Sequence, residues 1–344
     1  MPKNNVQQIA EKAGVSIATV SRILNGKLGH SPETIRRVKA LADELARENT
    51  PVAPSTAVSN AIGIVVYDYP NFLCNTYVAT LLDGIVGAAN AQGYSTMLIT
   101  VAESTCNPEY IRNMIAFYRL QGVIIPGNHY LYKLIRDIKK LSIPAVSINS
   151  ALPDMLPAVS TDAVRRGEDA ANYLLNYGHR RVGIVTMTGD QDHAGICEGF
   201  FRIYRKFVPG EKVMHWEYRD IEDAIFYAVN TIAGAAVRPT ALFFANSSLA
   251  RRFYLALLDR NLEIPGDISI LSSEEYGELV DIGITTLAQP THQMGKAAAK
   301  LLLKQIHDPS EVQNEVFFCS FKERASIKNL NTGNSRSHFT RNNP

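Results

Sequence analysis

The sequence predicts an all-α helix-turn-helix domain at the amino terminus, followed by a larger two-lobed α/β domain built on doubly wound parallel sheets. Three observations predict this. Apolar residues recur at helical spacing over the first 47 residues. A segment without any charged residue follows, from 49 to 67. Short β-branched apolar runs then alternate with helical segments almost to the end of the chain, which is typical of parallel sheets.

Composition indicates a globular protein with a local basic region. The chain has 344 residues, of which 46% are hydrophobic and 20% charged, enough for two or three domains with buried cores. The formal net charge is only +2, but the first fifty residues contain eight Lys or Arg against five Asp or Glu. A surface that binds nucleic acid would therefore have to be confined to one region of the chain, and the amino-terminal region is where we expect it.

Several classes of protein are disfavoured. The four cysteines form no close pair, which excludes a CxxC motif and favours a reducing compartment. The sequence has no apolar signal-peptide core and no long apolar run, so we expect a cytoplasmic protein that does not contact a membrane. HExxH, GxSxG, GxxxxGK and GxGxxG are all absent, and we expect no catalytic residues, no metal and no cofactor.

The amino-terminal region predicts three short helices. The first two meet at Gly14-Val15-Ser16, where Gly14 can adopt a left-handed conformation and Ser16 can cap the second helix. Ser31-Pro32-Glu33 is typical of the start of a third helix. A plain helical hairpin would account for the apolar spacing. It would not account for an outward Arg22 in a three-helix unit beside a flexible linker, so DNA binding is favoured.

The chain is predicted to divide into four parts: a helix-turn-helix domain at 1–48, a linker at 49–60, a two-lobed domain at 61–330 and a disordered tail at 331–344. The linker combines two prolines with small polar residues. About ten strands are expected beyond residue 60, including a single strand at "EVFFCSF". Because ten strands are too many for one small sheet, we expect two similar lobes with a cleft between them.

The stretch "VQQIAEKAGVSIATVSRILNG" closely resembles the DNA-binding segment of the lactose-repressor (LacI/GalR) family. The resemblance continues through "YGHRRVGIV", "FFANSSLA", "IPGDISILSSEE", "ITTLAQP" and "FKERAS", in the order in which that family has its corresponding motifs. It covers the chain from about residue 6 to 327. The resemblance implies a periplasmic-binding-protein-like body and a second helix that reads the major groove.

The resemblance also implies roles for individual residues of that helix. Ile17, Ala18 and Arg22 should face base edges, with Arg22 able to bind both acceptors of a guanine. Partial burial of Ile17 against Val20 remains an alternative. The backbone of the DNA should be contacted by four short polar side chains, Ser16, Thr19, Ser21 and Asn25.

The linker departs from the family pattern. Relatives fold this segment into a hinge helix on DNA and wedge a leucine into the minor groove. Here Val52 and Ala53 match, but Thr56 occupies the wedge position, and Pro54 is unfavourable in a helix. We therefore expect this protein to bend its operator less than its relatives do.

The effector cleft departs from the family pattern as well. Glu274 stands where relatives carry an aspartate, and Asn246 matches an asparagine of theirs. Tyr77 matches an aromatic residue of the relatives, and Asp162 matches an aspartate. Ile196 replaces a pocket arginine, and Ile221 stands where an aromatic plate is expected. We expect a more apolar cleft than in sugar-binding relatives. His193, close to the replaced arginine, is interpreted as a loop residue.

The expected function is a homodimeric, sequence-specific regulator that binds double-stranded operator DNA and represses carbohydrate-related genes. A small-molecule effector, a sugar or a derivative, would bind between the lobes. Two alternatives remain open: a cytosolic solute-binding protein, and a regulator whose pocket is vestigial. A sugar-processing enzyme is disfavoured because no nucleophile or phosphate-binding loop is found.

Overall fold

The computed structural model describes residues 3–24, 31–48, 60–68, 72–127, 130–149, 156–210, 213–219, 221–308 and 313–331. The chain forms two compact units, Met1–Val58 and Ser59–Pro344. The predicted linker lies outside the described residues except for residue 60, and the predicted tail lies outside them except for residue 331. Among the described helices, none is long and apolar enough to cross a bilayer.

The first unit contains three helices, α1 (Lys3–Ala13), α2 (Ile17–Leu24) and α3 (Pro32–Glu48). They enclose a small core, to which each helix contributes buried aliphatic side chains: Ile9, Ala10, Ala13, Val20, Ile23, Val38 and Ala42. The helical spacing of the sequence thus predicted the buried stripe of each helix. Arg37 of α3 donates a hydrogen bond of 2.6 Å to the carbonyl oxygen of Ala13 and ties the third helix to the end of the first.

The corner between α1 and α2 has the predicted geometry. Gly14 has φ of +63°, a conformation that costs glycine little because it has no Cβ. The Val15 N–H donates to the Ala10 carbonyl at 3.0 Å and closes the end of α1. The Thr19 N–H donates to Ser16 Oγ at 3.1 Å, so Ser16 caps α2.

The second unit contains two six-stranded sheets. The first lobe has the strand order β11-β5-β4-β3-β1-β2, and the second has β12-β10-β9-β8-β6-β7. The strands of the first lobe are β1 (Ala61–Tyr67), β2 (Ser95–Val101), β3 (Val123–Pro126), β4 (Ala145–Ile148), β5 (Ala158–Thr161) and β11 (Glu315–Phe317). Those of the second are β6 (Val182–Met187), β7 (Met214–Tyr218), β8 (Ala241–Phe244), β9 (Ser269–Ser272), β10 (Thr285–Ala288) and β12 (Ser320–Lys322).

Helices cover both faces of each sheet. The first lobe packs α4 (Thr76–Ala91), α5 (Pro108–Tyr118), α6 (Tyr132–Ile138) and α12 (Thr291–His307). The second packs α7 (Ala163–Asn176), α8 (Gln191–Phe207), α9 (Ile221–Gly234), α10 (Ser247–Leu258) and α11 (Gly277–Asp281). Central strands such as β3, β4, β8 and β9 are buried along their whole length, as the apolar runs predicted.

The chain passes between the lobes three times: after β5, after β10 and between β11 and β12. The last crossover corrects the expectation of one strand at "EVFFCSF". Phe318 and Cys319 separate β11, which is parallel to β5, from β12, which is antiparallel to β10. One apolar run thus supplies the edge strands of two sheets, because the chain leaves the first sheet before the run ends.

Glycines bring two helices into close contact in each lobe. A Cβ on Gly199 of α8 would lie 1.9 Å from the carbonyl oxygen of Val164 in α7. In the first lobe, a Cβ on Gly84 of α4 would lie 2.2 Å from the carbonyl oxygen of His292 in α12. The α7–α8 and α4–α12 pairs therefore pack at distances that no larger residue at these positions would permit.

Candidate functional site

The outer face of α2 carries the side chains predicted to meet DNA. Ile17 is 53% exposed, and Ala18, Ser21 and Arg22 are exposed as well. The alternative of partial burial beside Val20 accounts for less than half of the Ile17 side chain, and the rest is accessible on this face. Val20 and Ile23 occupy the opposite face in the core. The helix thus presents a mixed apolar and cationic surface of the kind that contacts base edges.

Two of the predicted backbone-contacting residues have a structural role too. Ser16 and Thr19 are joined by their hydroxyl oxygens at 2.9 Å, in addition to the capping hydrogen bond. Asn25 lies outside the described residues, and so do the three hinge residues, Val52, Ala53 and Thr56. The roles assigned to these residues on DNA stay predictions.

A cavity of about 430 Å³ lies between the two lobes of the second unit, within the usual range for small-molecule sites. It is formed where the strands of both sheets end, the position at which doubly wound sheets bind ligands. Gly127 follows β3 and Asn149 follows β4 in the first lobe. Asn246 follows β8 and Glu274 follows β9 in the second.

Three predicted effector residues line this cavity: Tyr77, Asn246 and Glu274. Asn246 accepts a hydrogen bond of 2.9 Å from the Leu249 N–H and so caps α10. Glu274 Oε2 accepts hydrogen bonds from the backbone N–H of Ser247 at 2.9 Å and from its hydroxyl at 3.2 Å. The side chains are thereby held at the start of α10, with little freedom to turn away from the cavity.

The structure places two other predicted effector residues, Asp162 and Ile196, away from the cavity walls. Asp162 is exposed and caps α7, since its Oδ1 accepts a hydrogen bond of 3.0 Å from the Arg165 N–H. Ile196 is fully buried in the core of the second lobe and does not line the cavity. The reason is that this part of α8 packs directly on α7, where Gly167 meets the Ile196 carbonyl. Ile221 begins α9, and its side chain lies outside the described residues.

A buried ion pair lies beside the cavity. Arg166 of α7 is 2% exposed, and its Nη2 pairs with Asp192 Oδ2 in the first turn of α8. Asp192 itself lines the cavity. Burial raises the pKa of Glu274 to about 7, although Ser247 and the charge of Arg166 oppose this shift. Tyr77 has a pKa above its ordinary value, chiefly because of burial and then because of the nearby Glu274 charge.

The two parts of the chain each match a known family of domains. Residues 5–46 match the family described as bacterial regulatory proteins, lacI family. Residues 171–327 match the periplasmic binding protein-like domain. The helix-turn-helix and the two-lobed body occur here in one chain and in that order.

The chain belongs to the LacI family.

Known transcription regulators are similar to this chain over most of its length. Catabolite control protein A of Priestia megaterium is 24% identical, over 88% of this chain and 92% of that protein. The HTH-type transcriptional repressor PurR of Vibrio atlanticus is 27% identical, over 95% and 99%. The structure of the Lac repressor dimer bound to operator and the anti-inducer ONPF has a TM-score of 0.66 and 19% identity, covering 93% of this chain and 98% of that one. This LacI-family protein is accordingly a DNA-binding transcription regulator with a small-molecule effector domain.

Sequence reasoning missed many of the residues that line the cavity of this LacI-family protein. They lie just after a strand, or within two residues before the start or in the first turn of a helix: Asn75, Tyr130, Tyr132, Asn149, Asp190, Asp192, His193, Ser248, Tyr276 and Gln289. His193 lies in α8 rather than in a loop and is buried, with its Nδ1 accepting the Met187 N–H at 3.0 Å. Strand-end position was the signal that would have found several of them.

The described walls of the cavity are rich in polar groups, since every described lining residue except Gly127 and Met187 carries a hydrogen-bonding side chain. The expectation that the cleft is more apolar than in sugar-binding relatives stays a prediction. Asn149 links several of them, because its amide nitrogen donates to Tyr77 Oη and to Gln289 Oε1, each at 3.0 Å. The sequence places Ile221 where an aromatic side chain was expected. The cavity nevertheless has an aromatic surface, which four tyrosines supply: Tyr77, Tyr130, Tyr132 and Tyr276.

Proposed function

We propose that this LacI-family regulator represses carbohydrate-related genes by binding operator DNA through α2, and that a small polar effector in the interlobe cavity controls that binding. The observation that carries the proposal is the pairing of two features in one chain. One is an exposed α2 face with Ile17, Ala18 and Arg22. The other is a polar cavity of about 430 Å³ at the carboxyl ends of both sheets.

The polarity of the cavity favours a functional effector site over a vestigial one. An unused cleft would not need its polar side chains to be held in place. Here Glu274 is fixed by Ser247, and Asn149 is fixed by Tyr77 and Gln289. Such fixed donors and acceptors are what a site needs in order to select a hydroxylated ligand. Cavity-lining residues lie in both lobes, so ligand binding would favour one relative arrangement of the lobes over another.

We further propose that the chain acts as a homodimer, with domain boundaries close to 1–48, 49–60 and 61–330. In a dimer, two α2 helices would meet successive half-sites of a palindromic operator. A change in the arrangement of the lobes would alter the spacing of these helices and so release or strengthen binding. This linkage requires only that the effector prefers one of the two states.

The test is selection of genomic DNA fragments by the purified full-length protein, followed by gel shifts on the selected fragments. We expect one palindromic sequence to be enriched and the genes beside it to encode carbohydrate uptake or breakdown. Arg22→Ala should weaken binding to that sequence. Arg112→Ala, an exposed arginine on α5, should leave it unchanged. A folded protein that selects no fragment, at modest ionic strength, would contradict the proposal and favour the solute-binding alternative.

A further inference from the structure

The interlobe cavity has an excess of acidic side chains. Asp190, Asp192 and Glu274 line it, and the described lining residues include neither lysine nor arginine. The described walls of the cavity therefore offer a ligand acidic side chains but no lysine or arginine.

The two aspartates already have partners. Asp190 caps α8, because its Oδ1 accepts the N–H groups of Asp192 at 2.9 Å and His193 at 3.3 Å. Asp192 is paired with Arg166, which is buried in α7 and does not line the cavity. His193 adds no positive charge, since burial lowers its pKa below its ordinary value.

Glu274 differs from both aspartates. Its Oε2 is bound by Ser247, but its Oε1 has no hydrogen-bond partner among the described residues and is not sealed away from the cavity. Burial raises its pKa to about 7, so the nearby Arg166 does not fully compensate the carboxylate. An unpaired carboxylate of this kind is stabilised by any cation that can reach it.

Two tyrosine rings stand close to this carboxylate. Tyr77 from the first lobe and Tyr276 from the second pack edge to face, with ring centroids 6.3 Å apart and planes at 76°. The Glu274 charge acts on the hydroxyls of both tyrosines. Aromatic faces attract ammonium groups, and the attraction grows when the cation is removed from water. Glu274 and the two rings together have the composition of a cation site.

We propose that the effector carries a cationic amine, which Glu274 Oε1 binds as a charged hydrogen-bond acceptor while Tyr77 and Tyr276 border the ammonium group. The inference rests on the proposed function only in taking this cavity as the effector site. The remaining amides and hydroxyls, among them Asn149 and Asn246, are left to bind the polar body of the ligand. The ligand class is thus an amino sugar or a similar hydroxylated amine.

The test compares probes that share one sugar framework and are cationic, neutral or anionic, with the amine at C2 and the carboxylate at C6. Binding of D-glucosamine, D-glucose and D-glucuronate to the full-length protein is measured by calorimetry at pH 7.5, together with the corresponding galactose series. We expect at least one amine to bind about tenfold or more tightly than its neutral counterpart, and the acids to bind least. The proposal is overturned if a neutral sugar or an acid binds more tightly than its amine, or if neither amine binds.

Variants show whether Glu274 is responsible. Glu274→Gln should remove the preference for the amine while keeping the shape of the side chain, and Glu274→Asp should retain part of it. Glu198→Gln, on an exposed position of α8, is the matched control and should change nothing. An amine preference that survives in Glu274→Gln would contradict the assignment of this carboxylate.

The result of the amine-binding test can be distinguished from the result of the operator-selection test. Amine binding is measured without DNA, so it can succeed even if no operator is found. Conversely, a protein that selects an operator but binds neither amine would retain the proposed regulatory role and lose this inference.

Discussion

Arg166 of α7 pairs with Asp192 of α8 at a position where the guanidinium is almost wholly removed from water. Its Nε and Nη1 have no hydrogen-bond partner among the described residues. Asp192 is therefore the main compensation for a buried positive charge. The same two helices also carry an exposed ion pair, Arg202 with Glu168 at 2.7 Å, which allows the effect of burial to be isolated.

Removing one member of the buried pair should destabilise the second unit strongly. We expect Asp192→Asn to cost about 3–5 kcal/mol in the free energy of unfolding, because Arg166 is then left charged and unpaired. The measurement is urea unfolding of the full-length protein. Glu168→Gln should cost no more than about 1 kcal/mol, since its pair with Arg202 is exposed. Equal losses for the two variants would show that Arg166 is compensated by groups other than Asp192.

The raised pKa of Glu274 predicts a pH dependence of stability. Its pKa rises from the ordinary value of 4.5 to about 7 in the folded chain, mainly through burial. Folding then favours the protonated carboxyl, so the free energy of unfolding should decrease as pH rises through this interval, by on the order of 1–3 kcal/mol. The groups that face Glu274 are Ser247, Arg166, Asp192, Tyr77 and Tyr276.

Glu274→Gln should remove this dependence. The variant should match the original protein near pH 4.5 and unfold at a higher temperature than it at pH 8, in calorimetric scans without ligand. A variant whose stability changes with pH as steeply as that of the original chain between these values would locate the titrating group elsewhere. The same substitution removes the proposed amine site, so greater stability with weaker amine binding is the expected combination.

The contact between α7 and α8 requires glycine at 199. Gly199→Ala would place a methyl group 1.9 Å from the Val164 carbonyl oxygen, so the two helices must separate. We expect a cost of about 1–3 kcal/mol or more in thermal or urea unfolding. Gly87→Ala in α4 is the control, because nothing lies within 4 Å of its Cβ position. It should stabilise the protein slightly, by roughly 0.5–1 kcal/mol.

Arg22 should determine specificity at one base pair rather than overall affinity. Arg22→Lys keeps the charge but cannot bind both acceptors of a guanine in the same plane. We expect a loss of about 1–3 kcal/mol on the selected operator and little change on unrelated DNA. Gel shifts on operators with each base pair changed in turn provide the measurement. A uniform loss on all sequences would indicate that Arg22 contacts phosphate instead.

The helix-turn-helix was predictable because its structure is local. Gly14 allows the corner, Ser16 caps the following helix, and the apolar residues that form the core lie within about forty residues of one another. The strands were predicted less completely from the sequence. The short strands β5, β7 and β10 did not stand out, and "EVFFCSF" looked like one strand although it serves two sheets. Pairing partners decide such cases, and they are distant in sequence.

The residues that line the cavity could be predicted only in part from the sequence. Glu274, Asn246 and Tyr77 were placed correctly at the cleft, but Ile196 lies in the core, and Arg166 was not considered at all. The family resemblance implied a pocket arginine where Ile196 stands, whereas the buried arginine of this structure is Arg166 on the neighbouring helix α7. Sequence position cannot reveal its burial, because that depends on how closely α7 and α8 pack.

The sequence by itself determined the domain order, the helix-turn-helix and the doubly wound sheets, since helical and strand periodicity and turn chemistry act between near neighbours. Tertiary structure alone decided the chemistry of the cavity. Its walls come from strand ends and helix starts spread between Asn75 and Gln289, and both lobes must fold before these side chains meet. Burial then shifts their charge states, because a carboxylate such as Glu274 holds its negative charge less readily once water has been excluded from around it, which raises its pKa.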